Sequence, residues 1–176
     1  SNQNSDGGSI SLVAGGGSAG GQVTLSAGYG IEGAGGGVQL TSGNGQEMAT
    51  SGYVSLLTGS SKFASGNLNF STGAARKHRS GALSVRTGLS QGESGEILIG
   101  TGAAESNPGS VSLHAGLAVT KGGGNASVVA GNGAHGGKIL VQSGDGSSQE
   151  GGEVRISAGN SERDEGGDCF VKAGHG

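Results

Sequence analysis

Cys169 is the only cysteine in the sequence, so it can act as a lone thiol but not within a disulfide framework or a multi-cysteine zinc site. It stands at an apolar position equivalent to Ile139 or Val154, where a thiol is expected to be buried as a small hydrophobe. The four histidines, His78, His114, His135 and His175, lie in separate stretches and no pair has the spacing of metal ligands, so they are read as solvated surface. Arg76, Lys77, His78 and Arg79 form the densest basic cluster, and Arg76, Lys77 and Arg79 could grip a sulfated or carboxylated polysaccharide by charge. A solvated loop tip is the plainer reading of the same residues. Glu162, Arg163, Asp164 and Glu165 are the acidic counterpart, and the two clusters could pair between molecules. Asp145, Asp164 and Asp168 could be offered to Ca²⁺, but the regular Gly-Gly-x-Gly-x-Asp nonapeptide of calcium-binding rolls is absent.

Asn69-Phe70-Ser71 and Asn125-Ala126-Ser127 match the N-glycosylation pattern, although such matches also arise by accident in a chain this rich in Asn and Ser. Catalysis finds little support. There is no Gly-x-Ser-x-Gly elbow in a strand–helix setting and no recurring carboxylate pair, and the Gly-rich stretches lead into no helix that could hold phosphate. The chain is therefore read as a non-enzyme with no cofactor, no metal and no catalytic residue.

Composition narrows the class further. Gly accounts for 43 of 176 residues and Pro for one, which excludes collagen, where Gly recurs every third position beside abundant Pro. A net charge of −3 argues against a nucleic-acid partner. Tyr29, Tyr53, Phe63, Phe70 and Phe170 are the only aromatics, too few for a base-stacking platform. No stretch reaches the ~20 apolar residues of a membrane helix, so no membrane insertion is expected. The sequence opens on no signal-peptide pattern, which a mature secreted chain would have lost.

What positions these residues is a repeat. Twelve copies of Gly-x-Φ-x-Φ-x-small-Gly run through the chain, where Φ is apolar and the small residue is Ala, Ser or Thr. They open at Gly8, Gly21, Gly36, Gly52, Gly66, Gly81, Gly95, Gly109, Gly124, Gly137, Gly152 and Gly167. They close at Gly15, Gly28, Gly43, Gly59, Gly73, Gly88, Gly102, Gly116, Gly131, Gly144, Gly159 and Gly174. The first Φ recurs from Ile10 to Cys169 at a mean spacing of roughly 14–15 residues, self-similarity that marks a repeat architecture.

Alternation of apolar residues has period two, so each copy predicts a short strand with one inward face, rich in Val, Ile and Leu. Gly at each end permits positive φ or close backbone approach at a corner. The polar connections, such as NGQEMATS, AARKHRS and NSERDEG, read as exposed loops. Every copy places its larger apolar residues first and its small residue last, an orientation that suits parallel strands in register.

The expectation is an all-β fold, a parallel β-solenoid of twelve short strands occupying residues 1–176 as a single domain or as a segment of a longer array. Sorting the copies by threes gives the most coherent classes. The outward residues of copies two, five, eight and eleven are small or polar, and the loops after them all hold seven residues. This predicts a triangular prism with three strands per coil and four coils. A two-sided coil is the runner-up. A strand begins within a few residues of the first position and another ends near the last, so open ends are expected to pair with further copies and make a filament.

The runs GGQVTLSAG, GGEVRISAG and GGKILVQSG resemble the Gly-Gly-x-Val-x-Leu-x-Ala-Gly repeats of haemagglutinin-like adhesin stalks, and more closely the glycine-rich tandem repeats of diatom and algal extracellular proteins. The likeness spans nearly all twelve copies, on a motif that is short and low in complexity, and its period is shorter than the stalks' usual one. It implies an elongated extracellular or cell-surface scaffold and carries over no catalytic residue. The leading expectation is a structural subunit of an extracellular filament or surface layer, assembling by end-to-end stacking of coils as a head-to-tail homopolymer. The alternatives are an ice-binding solenoid and a carbohydrate-binding stalk that contacts cell-surface polysaccharide. Ice binding calls for one residue type repeated up an outward face, whereas the Thr58, Thr72, Thr87 and Thr101 series falls at the inward third position.

Overall fold

A computed structural model describes residues 7–46, 48–120 and 122–175. Among them there is no helix and no strand. The β-solenoid therefore has to be corrected, and with it the triangular prism, the two-sided coil and the stacking of coils end to end. The repeat itself remains visible in the backbone. Sharp bends fall only in the connections, for example at residues 17–19, 31–33, 76–78, 133–135 and 162–164, and none falls inside a Gly-bounded segment. Period-two alternation thus marks where the chain runs without bending, but it says nothing about whether a neighbouring segment lies within pairing distance.

The reason lies in where the backbone hydrogen bonds go. A β-ladder needs segments held about 4.7–4.9 Å apart over their length. Among the described residues the backbone–backbone bonds number eight, seven of which join the two glycines at the base of one connection. A folded chain makes on the order of one internal hydrogen bond per residue. Within the segments, then, the amide and carbonyl groups face water rather than each other.

Burial follows the same pattern. The accessible area is 18682 Å² for a 16.7 kDa chain. Size scaling gives about 7,600 Å² for a compact chain of that mass and about 24,000 Å² for an unfolded one. No described hydrophobic side chain is buried. A trace of two-facedness survives. First-Φ residues such as Val23, Ile97 and Val154 are 51%, 50% and 48% exposed, whereas outward Leu57, Leu98 and Leu140 are 83%, 88% and 83%. The apolar rows exist, but nothing in one copy covers them.

Contacts divide the chain into two units, Ser1–Arg86 and Thr87–Gly176. The division falls at the closing end of the sixth repeat, so each unit carries close to six repeats. In the first, the connections 15–21, 28–36 and 43–52 are closed by backbone bonds; in the second, 116–124, 131–137, 144–152 and 159–167 are.

Candidate functional site

The best-defined local structure is the base of the closed connection. Gly21 N–H donates to the Gly15 carbonyl at 2.8 Å, and Gly36, Gly52, Gly124, Gly137, Gly152 and Gly167 donate to Gly28, Gly43, Gly116, Gly131, Gly144 and Gly159 at 2.9 Å. Each bond links the closing glycine of one repeat to the opening glycine of the next. The opening glycine lies close to the preceding small residue. A Cβ on Gly21 would sit 3.2 Å from Ala14 Cβ and from the Gly15 backbone, and one on Gly137 would sit 3.2 Å from Ala130 Cβ. No described glycine has φ in the left-handed region, so close approach, and not positive φ, is what these punctuation glycines supply.

The small residue decides whether the base closes. All seven closed connections follow Ala or Ser: Ala14, Ala27, Ser42, Ala115, Ala130, Ser143 and Ala158. The four connections that follow Thr58, Thr72, Thr87 and Thr101 make no such bond. The branch of Thr accompanies the difference. Its Cγ2 faces the next opening glycine, 3.9 Å from where a Cβ on Gly66 would stand, 3.8 Å for Gly81, 3.7 Å for Gly95 and 3.3 Å for Gly109. The added methyl thus stands beside the opening glycine in every connection that stays open. Among the described residues only Ala14, Ser42, Ala130 and Ser143 are half-buried rather than exposed, and all four sit at this position.

A second determinant lies two residues after the closing glycine. Gly30, Gly45 and Gly146 occupy it in three closed connections, where an added Cβ would run into the carbonyls of Gly33 and Ala34, Ala49 and Thr50, or Gln149 and Glu150. Gly17 and Gly133 are milder cases, with 3.1 Å to the carbonyls of Ala19 and His135. In three other connections Ser takes the place and uses its hydroxyl, and in the remaining three, one of them closed, Ala75, Ala104 and Ala118 stand there. Ser61 Oγ accepts from Phe63 N–H at 3.2 Å, and Ser90 Oγ accepts from Gly92 N–H at 3.1 Å. Ser161 Oγ accepts from Arg163 and Asp164 N–H at 3.3 and 2.9 Å, and Asp164 Oδ1 accepts from Glu165 N–H at 2.9 Å. These are the turns that a short hydroxyl side chain favours. The expectation from sequence named the bounding glycines but missed Gly30, Gly45 and Gly146. The signal was the Gly-x-Gly that opens five of the connections.

The other candidate residues are not brought together. Cys169 is exposed, contrary to the expectation of a buried thiol. Asn69 and Asn125 are exposed within their segments, and Arg76, Lys77 and Arg79 are exposed at a bend. Asp145, Asp164 and Asp168 lie in separate connections or segments, and among the described residues no group of three or more His, Cys, Asp or Glu side chains could hold a metal ion. No described helix is long and apolar enough to cross a membrane.

No protein-family model matches the chain, and neither curated proteins nor solved structures yield a significant match. The resemblance to adhesin stalks and algal repeat proteins accordingly rests on the repeat motif alone.

Proposed function

We propose that this chain is a structural segment of an extracellular filament or surface layer, and that its apolar rows are covered by other copies of itself. The observation that carries this reading is the absence of any buried hydrophobic side chain among the described residues, although two apolar residues recur in almost every repeat. Exposed apolar rows repeated at a fixed period are costly in water and mark an association surface. A row repeated twelve times matches another copy of the same row better than it matches a unique partner. The extracellular placement is supported by the resemblance of the repeat to cell-surface scaffolds. The assembly differs from the stacked coils expected from sequence, because one copy provides no coils to stack.

Sedimentation velocity and negative-stain electron microscopy over a hundredfold range of concentration test the proposal. Growth from single chains to large particles of uniform width, with a clear concentration threshold, is the expected result. Single chains at every concentration would overturn it.

A further inference from the structure

The charges of the two units differ in sign. Residues 1–86 carry five basic and three acidic side chains, a net +2, whereas residues 87–176 carry five basic and ten acidic, a net −5. The most highly charged connection of each unit holds seven residues, 74–80 and 160–166, and the two lie six repeats apart. Laid over one another at that offset they match position by position. Arg76 falls on Glu162, His78 on Asp164 and Arg79 on Glu165, with Lys77 on Arg163 as the one like pair. The same offset brings the connection of Lys62 over that of Asp145 and Glu150, and sets two further like pairs, Arg86 on Lys172 and Asp6 on Glu93. Alignment without offset would put each cluster on itself, which is repulsive.

The structure leaves both clusters available. Arg76, Lys77 and Arg79 are exposed and take part in none of the side-chain hydrogen bonds among the described residues. Connection 159–167 is held by its own backbone, through the 2.9 Å bond from Gly167 to Gly159 and the bonds to Ser161, so the carboxylates of Glu162 and Glu165 are not spent on shaping it. The accessible area exceeds that of a compact chain by roughly 11,000 Å², several times the ~1,600 Å² of a standard interface.

We infer that the Ser1–Arg86 unit of one copy docks on the Thr87–Gly176 unit of a second copy, with connection 74–80 set against connection 160–166. This rests on the self-association proposed above and adds its partner surfaces and register. The contact joins two different surfaces, so a docked pair retains one free unit of each kind, through which a staggered assembly goes on growing. Charge fixes the register, while the apolar rows beneath supply the area.

Charge-swap variants test the register separately from assembly itself. R76E/R79E and E162R/E165R each place like charges in contact and are expected to raise the half-assembly concentration about tenfold. Mixing the two variants, or combining all four substitutions in one chain, restores the wild-type value. Raising the salt from about 0.01 to 1 M, which shortens the screening length from ~30 to ~3 Å, should weaken wild-type assembly and relieve the variants. In an equimolar mixture of ¹⁴N and ¹⁵N chains, carbodiimide should couple Lys77 to Glu162, Asp164 or Glu165 across copies.

Wild-type assembly that neither variant alters by more than about twofold would overturn the inference and leave self-association standing. So would coupling of Lys77 mainly to Glu105, which reports an offset of two repeats, or coupling confined to chains of one isotope, which reports pairing within a copy. A basic cluster whose reversal abolishes only retention on dextran sulfate would assign it to a polyanion instead. Wild-type chains that never assemble would remove both proposals.

Discussion

A β-branched side chain in place of Ala or Ser separates the two kinds of connection. After Ala and Ser the opening glycine's amide reaches the preceding carbonyl, and after Thr, whose Cγ2 faces that glycine, it does not. Thr72→Ala should therefore close connection 73–81. One added hydrogen bond is worth about 0.5–1.5 kcal/mol, so exchange of the Gly81 amide should slow about two- to tenfold, read by NMR. The reverse effect is expected from Gly30→Ala, which drives a Cβ into the carbonyls of Gly33 and Ala34 and should break the bond from Gly36 to Gly28. Gly33→Ala is the matched control, because a Cβ there meets nothing within 4 Å. Loss of Gly36 amide protection in the first variant and not in the second is the expected outcome. Equal effects would mean that glycine acts through chain entropy rather than through close approach.

The repeated segment is the next scale. Its alternation assigns a face to each residue, and at most first-Φ positions, such as Val23, Ile97 and Val154 at 51%, 50% and 48% exposed against 83% or more for outward Leu57, Leu98 and Leu140, that assignment stays visible in a single copy. Substitution of residues on the less exposed face should weaken assembly far more than substitution on the other. Val154→Ser is expected to raise the half-assembly concentration about tenfold, in line with burial of a Val side chain, and Leu140→Ser by less than about twofold. Equal responses would show that copies do not meet along the alternating face. The segment boundaries were legible in the sequence, because Gly on both sides and the polar stretches between are local signals. Pairing was not. Identical orientation of twelve segments meets a condition for parallel strands, yet it supplies no force that holds neighbours 4.8 Å apart.

For the whole molecule, accessible area and hydrogen bonding agree. One copy keeps about three-quarters of the area of an unfolded chain of its mass, and its backbone bonds are local. A chain in this state should gain order only on association. Infrared amide I spectra recorded across the assembly threshold should shift from the solvated toward the hydrogen-bonded range, together with slower amide exchange inside the repeats. An unchanged spectrum on assembly would mean that copies cluster through side chains alone. The two units add a polarity that no single repeat has, +2 against −5, and this makes a head-to-tail contact preferable to a symmetric one.

The sequence by itself determined the repeat, its twelvefold count, the alternation of faces and the opposite charges of connections 74–80 and 160–166. All of these depend on residue type and spacing along the chain, which need no partner to be read. Only the tertiary structure decided that the described residues form no strand, that Cys169 is exposed, and that among the described residues connections close after Ala and Ser but not after Thr. Pairing and burial depend on what lies across from a residue in space. A motif of two apolar residues and one small one, flanked by glycine, fixes a face without fixing what meets it.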